Sequence, residues 1–254
     1  VPLGLPHQLK VLLSLYAVCL NSEARKRVLI IVGALNFWMF LDDVLDLGAG
    51  FGGSARYLSE TYGCRVVALN LSEVENQRDR AMNQERGLDG LADVVDGDFE
   101  QLPYDADTFD VVWSQDAILH SGNRRKVLEE VARVIKPGGE LVFTDPMMTD
   151  DCPENVLQHI LDRLHLSTLG SPRFYRETLG SLGFDEIGFE EHADQLARHY
   201  ARVLAETEAQ EATLSAAVSE DYLRRMKKGL RHWVEGGKNG YLTDRKSTRL
   251  NSSH

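Results

Sequence analysis

The sequence predicts an α/β domain, with a mainly parallel sheet, helices on both faces and a ligand at the carboxyl ends of the strands. Three observations predict it. A short apolar strand runs directly into a glycine-rich turn and then a helical pattern, beginning at Val44 to Gly53 (VLDLGAGFGG). Apolar strand-like segments then alternate with amphipathic stretches as far as Glu190. Finally, 254 residues with 43% hydrophobic and 26% charged content suit one α/β domain with a lid or insertion.

Residues 1–41 depart from this pattern and form an atypical hydrophobic segment. Val11–Leu20 and Val28–Leu41 are apolar runs separated by the charged Glu23–Arg27. The second run falls short of the ~20 residues that cross a bilayer. The first lacks the flanks of a signal peptide. A packed helix is therefore expected in place of a membrane anchor. Beginning at Val1, the chain reads as a fragment.

The domain proper is expected over residues 42–243. Val44–Leu47 ends the first strand, glycines occupy positions 48, 50, 52 and 53, and Ser54–Thr61 resumes as a helix. Glycine is needed there because the turn uses backbone angles that a Cβ disfavours, and because a ligand must approach the main chain closely. Arg65–Leu69 is a second strand ending at Asn70, Glu73–Arg86 a helix and Ala92–Val95 a third strand. Phe109–Trp113 is a fourth strand. The amphipathic helix Arg124–Ile135 stops at Lys136-Pro137-Gly138-Gly139, and Glu140–Thr144 is the fifth strand. Helices are expected at Glu154–Leu166 and Arg173–Leu182, a sixth strand at Asp185–Glu190, and two longer helices at His192–Ala217 and Glu220–Val234.

Two ligand classes fit the glycine loop. Gly48, Gly50 and Gly53 satisfy G-x-G-x-x-G of dinucleotide sites. Asp46, Gly48, Gly50 and Gly52 satisfy D-x-G-x-G-x-G, which resembles motif I of S-adenosylmethionine-dependent methyltransferases. The net charge of −11 argues against nucleic acid as a partner, since phosphate binding needs a basic surface. Three widely spaced cysteines give no metal or disulfide pattern and suit a reducing, cytoplasmic compartment, with plastid import open if a transit peptide precedes Val1.

Asn70 at the end of the second strand, Asp98-Phe99 after the third, L-P-Y-D-x-x-x-F-D (Leu102–Asp110) and R-V-I-K-P-G-G (Arg133–Gly139) together resemble the Rossmann-like class I methyltransferase sheet. The resemblance implies S-adenosyl-L-methionine as cofactor. Asp46, Gly48, Gly50, Gly52, Asn70, Leu71, Asp98, Phe99 and Gln115 would line its site, with Asn70 on the ribose and Asp98 and Phe99 at the adenine.

The later runs W-S-Q-D-A-I-L-H-S (Trp113–Ser121), F-T-D-P-M (Phe143–Met147), F-Y-R (Phe174–Arg176) and M-K-K-G-L-R-H-W-V-E-G-G (Met226–Gly237) are similar to sarcosine/dimethylglycine N-methyltransferases. That family implies stepwise methylation of a small amine, sarcosine then dimethylglycine, to glycine betaine. A related methyltransferase acting on phosphoethanolamine or a sterol, or a non-catalytic S-adenosylmethionine-binding protein, is the alternative, and no metal-ligand set appears in the sequence. Within that family His120 is the candidate proton acceptor, with Asp116 orienting it. Arg176 is the candidate for the acceptor carboxylate, and Tyr175 and Trp233 for its methylated ammonium. The family's sheet also ends with an antiparallel seventh strand between the fifth and sixth. Because the chain turns polar after Leu242-Thr243, residues 244–254 read as a tail outside the native structure. The seventh strand reads as missing or disrupted, and the chain as weakly stable.

Overall fold

In a computed structural model, residues 43–191 and 193–252 are described. The hydrophobic segment 1–41, with the packed helix expected there, lies outside them. The described residues fall into two compact units, one comprising 43–150, 168–191 and 245–252, and the other 151–167 and 193–244.

The first unit is built on a seven-stranded sheet of order β3-β2-β1-β4-β5-β7-β6. Its strands are β1 (Asp43–Leu47), β2 (Arg65–Asn70), β3 (Ala92–Asp96), β4 (Phe109–Gln115), β5 (Ile135–Met148), β6 (Phe184–Glu191) and β7 (Leu242–Ser252). β1 to β5 pair in parallel. The register sets Asp46 opposite Ala68 and Trp113, Asn70 opposite Asp96, and Gln115 opposite Thr144. Groups at strand ends that are distant in sequence are thereby aligned along one edge, at the point where the strand order reverses.

Helices α1 (Gly53–Tyr62), α2 (Glu73–Arg86), α3 (Arg124–Val134) and α5 (Pro172–Ser181) belong to this unit. Their starts are chemically marked. Ser72 Oγ accepts from the Glu75 N–H, Asn123 Oδ1 from Lys126, and Ser171 Oγ from Phe174 just before Pro172. The core gathers Leu45, Leu47, Leu69, Val112, Leu128, Val131, Leu141 and Phe143, all buried.

Lys136–Gly139 does more than stop a helix. It lies within β5, and the register slips from Phe109↔Ile135 to Val111↔Glu140 across it. A Cβ on Gly139 would stand 2.8 Å from the Asp110 carbonyl, so this bulge admits only glycine without rearrangement.

The expected loss of the seventh strand is corrected. β7 continues through Ser252 and pairs antiparallel with β6, from Glu191↔Arg245 to Phe184↔Ser252. Sheet order places it between β5 and β6. A ladder is made of main-chain groups that every non-proline residue carries, so a polar sequence does not exclude the strand. The inference of weak stability from a missing strand falls with it.

The second unit is helical, with α4 (Gln158–Leu164), α6 (Ala193–Ala209), α7 (Glu211–Ser215) and α8 (Glu220–Lys238). Small residues let these helices approach. A Cβ on Gly229 would meet Arg163 Nε at 2.8 Å, and one on Gly237 would meet Ala197 Cβ at 3.0 Å. The single helix expected over His192–Ala217 is two, with Gln210 at the start of the second.

Candidate active site

The glycine loop is built as its spacing requires. Gly48, Gly50 and Gly52 have φ of 78°, 55° and 70°, in the left-handed region. The N–H groups of Gly48 and Ala49 both donate to the Leu69 carbonyl, at 2.9 and 3.1 Å, which ties the loop to β2. A Cβ on Gly48 would overlap the side chain of Ala117, and one on Gly52 would overlap the Asp79 carboxylate. Among the described residues nothing lies within 4 Å of a Cβ on Gly50, so there its backbone angle is what calls for glycine.

Beneath the loop lies a buried polar network that sequence reasoning missed. The Arg56 guanidinium pairs with Asp79, donates to Asn83 Oδ1 at 3.0 Å, and donates to the Phe51 carbonyl inside the loop. Arg56, Asp79 and Asn83 are all buried. Nothing in an arginine one helical turn past a glycine run announces such a role. Asp46 is also buried, and its Oδ2 has no partner within the protein. Burial, then the Asp79 charge, pushes its carboxyl up to about 7, while the Ala55 backbone N–H and Arg56 pull the other way.

Around this cradle, Asn70 is fixed by Asn76, whose Nδ2 donates to the Asn70 carbonyl and to Asp96 Oδ1, each at 2.8 Å. The Asn70 side chain donates to Glu75 Oε2 at 3.0 Å. Leu71 is 75% exposed, an apolar side chain presented at the strand end. Phe99 packs on the core and lies 3.8 Å from the Cβ position of Gly48. Asp98 accepts from the Glu100 N–H at 2.8 Å and so also shapes its own turn. Gln115 Oε1 accepts from Ser54 Oγ at 3.1 Å, joining β4 to the start of α1. The structure thus brings the predicted cofactor residues Asp46, Gly48, Gly50, Gly52, Asn70, Phe99 and Gln115 to one edge of the sheet. A glycine loop held at left-handed angles, beside a buried carboxyl oxygen with no partner in the protein, fits the aminoacyl and nucleoside parts of S-adenosylmethionine.

The turn after β4 carries the acceptor-side candidates. Asp116 has φ of 54°, held by its N–H on the Thr144 carbonyl at 2.9 Å and by Thr144 Oγ1 donating to its Oδ1 at 2.8 Å. His120 ends a one-turn 3₁₀ helix, Ile118–His120. Much of its surface is open, yet protein atoms crowd the ring enough that lost solvation lowers its pKa first. Asp116 opposes this shift, Arg124 adds to it, and Glu75 opposes it.

Leu119, just before His120, is gripped through both its N–H and its carbonyl. Asp145 Oδ1 accepts from the Leu119 N–H at 2.9 Å, and the Arg124 guanidinium donates to the Leu119 carbonyl at 3.2 Å and to the Thr168 carbonyl. Asp145 is fully buried, and its Oδ2 accepts from the Tyr175 hydroxyl at 2.6 Å. Burial pushes the Asp145 carboxyl up to about 8 against the lowering effect of the Tyr175 and Leu119 bonds. An acid at the end of an apolar strand, as in F-T-D-P-M, was the available signal for Asp145.

The structure gives three acceptor-side candidates other contacts. Tyr175 is 2% exposed, packed on Phe143 and Phe174, and its hydroxyl is used by Asp145, so it offers no free ring face. Arg176, the next residue on α5, faces outward and pairs with Glu186 at 2.9 Å. Trp233 lies in the helical unit, buried, stacked on Tyr200 with ring centroids 4.8 Å apart. A helix turns about 100° per residue, so neighbours such as Tyr175 and Arg176 cannot face the same way. Among the described residues no cluster of three His, Cys, Asp or Glu is placed to hold a metal. No described helix is long and apolar enough to cross a membrane.

Comparison with known proteins agrees with this geometry. Residues 45–143 match the family described as Methyltransferase domain. The chain is 61% identical over 200 residues to the sarcosine/dimethylglycine N-methyltransferase of Halorhodospira halochloris, covering 79% of this chain and 72% of that one. It is 54% identical to the protein of the same name from Aphanothece halophytica, covering 81% and 74%. A crystal structure from Galdieria sulphuraria, provisionally described as a sarcosine dimethylglycine methyltransferase, superposes with a TM-score of 0.83 at 36% identity over 88% of this chain and 83% of that one. The chain is an S-adenosylmethionine-dependent methyltransferase and belongs to the sarcosine/dimethylglycine N-methyltransferase family.

Proposed function

We propose that this enzyme methylates the nitrogen of sarcosine and of dimethylglycine, the second step giving glycine betaine. The observation that carries the acceptor is the 61% identity to a relative named for these two amines, over 200 residues that reach beyond the methyltransferase-domain match. When bound, S-adenosylmethionine supplies an electrophilic methyl group on a sulfonium.

The chain's own residues do the rest. The Gly48, Gly50 and Gly52 loop offers the cofactor its main chain, Asn70 takes the ribose, Asp98 and Phe99 the adenine, and Asp46 the buried polar end. Leu71 and Gln115 complete the lining. A zwitterionic amine carries a proton on nitrogen and has no lone pair to offer until that proton leaves. His120 is the group proposed to take it, and the crowding that lowers its pKa keeps it neutral and able to accept at physiological pH. Asp116, fixed by Thr144, orients the ring. Positioning and exclusion of water supply most of the acceleration in such a displacement.

The test is product analysis with labelled cofactor and a panel of sarcosine, dimethylglycine, glycine, phosphoethanolamine and a sterol. Label on sarcosine and dimethylglycine is expected. Label on phosphoethanolamine or the sterol alone would overturn the acceptor assignment.

A further inference from the structure

We infer that the buried Asp145–Tyr175 pair is a positioning device for the acceptor-side base, fixing the Ile118–His120 turn from inside the protein. The inference rests on the reading of His120 as that base.

The connection is short and made of named bonds. Tyr175 O–H donates to Asp145 Oδ2 at 2.6 Å, and Asp145 Oδ1 accepts from the Leu119 N–H at 2.9 Å. Leu119 is bonded in the chain to His120. On its other side the same residue gives its carbonyl to Arg124. Leu119 is therefore held through its N–H by β5 and through its carbonyl by α3, which fixes the two peptide units on either side of it.

Tyr175 is itself locked. Its ring packs between Phe143 and Phe174, and a Cβ on Gly170 would stand 2.5 Å from the ring, so the loop before α5 presses directly on it. The pair thus couples the placement of α5 to the turn that carries His120. A fully buried carboxyl is costly to keep unless its bonds serve something. Here both oxygens are engaged, one by the turn and one by the helix.

The groups facing the two ends are few. His120 is faced by Asp116 from the end of β4, Arg124 from α3 and Glu75 from α2. Asp145 is faced by Tyr175, Leu119, Asp116 and Arg124. The bonds through Leu119 are the route by which the pair reaches the ring.

The experiment uses Tyr175→Phe, Asp145→Leu and Asp145→Asn in the full chain, with folding checked by thermal melts. Each is measured for kcat on dimethylglycine, for S-adenosylhomocysteine affinity, and for the titration of the His120 imidazole by NMR, assigned with His120→Asn. Tyr175→Phe and Asp145→Leu are expected to lower kcat by about 10- to 100-fold, as an ångström-scale misplacement does. Cofactor-product affinity should stay within about twofold of wild type, as these residues do not touch the glycine loop. In both variants the loosened turn frees the ring from its crowding, and its pKa rises toward the ordinary histidine value. Asp145→Asn keeps the acceptor for Leu119 and restores both readouts. Should Asp145→Leu fail to fold, Tyr175→Phe carries the comparison. Lost activity with an unmoved His120 titration, or an Asn variant as impaired as the Leu one, would overturn the inference. If wild type methylates neither amine, the proposed function fails, while the titration still decides whether the pair positions the turn.

Discussion

Gly48 and Ala117 sit so close that a Cβ on the glycine would overlap the alanine side chain. The loop after β1 and the turn after β4 are thereby packed as one piece, with proposed cofactor residues on one and the proposed acceptor-side base on the other. Gly48→Ala must strain a backbone at φ 78° and push the two loops apart. Strain alone costs about 1 kcal/mol, and the overlap adds to it. S-adenosylhomocysteine affinity should fall at least 10-fold by calorimetry. Gly50→Ala, with open space, should lose only the strain part.

The Arg56–Asp79 pair should be worth more as a pair than its parts suggest. Both side chains are almost wholly buried, so Arg56→Met leaves an unpaired carboxylate and should destabilise the fold by ~3–5 kcal/mol. The double variant Arg56→Met/Asp79→Leu should recover much of that loss in denaturant melts. An additive double variant would mean that the two residues act independently.

Stability should decline as pH rises across the neutral range. Asp46 and Asp145 have pKa values raised from 3.8 to about 7 and about 8. A carboxyl whose folded pKa lies above its unfolded one favours the fold fully below the unfolded value, and loses that contribution as pH climbs through the folded value. The window is therefore from about pH 4 to about pH 8. Asp145→Asn, which cannot ionise, should flatten the decline between pH 5 and 8 in urea melts. A slope equal to that of wild type would show that Asp145 is ionised throughout. Glu130 acts oppositely: Arg133 lowers it to about 2, so its contribution fades only as pH falls toward that value.

Arg176→Ala should do little. The Arg176–Glu186 pair is substantially exposed, and such pairs contribute under about 1 kcal/mol. The KM for dimethylglycine should stay within about twofold of wild type. A tenfold rise would return Arg176 to the acceptor carboxylate.

What the sequence revealed was what it encodes locally. The β1 strand, the glycine loop and α1 each depend on residues within a few positions of one another, and the structure reproduces them. The helices expected from Glu73 and Arg124 also begin at those residues. Contacts spanning long sequence separations were hidden. Asp145 and Tyr175 are 30 residues apart, and nothing in either segment names the other. Tyr175 and Arg176 both looked suited to an acceptor, but their facing depends on how α5 is rolled against Phe143. β7 escaped because its pairing is carried by the main chain and leaves little hydrophobic pattern to read.

The proposed glycine-loop cofactor site and small-amine site share one edge of this sheet. Calorimetric titration of the folded protein with S-adenosylhomocysteine, then of the saturated complex with dimethylglycine, tests that arrangement. Both are expected to bind, the second weakly or not at all without the first. Binding of dimethylglycine with equal affinity whether or not the cofactor product is present would contradict a shared site, and binding of neither would contradict the cradle built on Asp46 and Gly48.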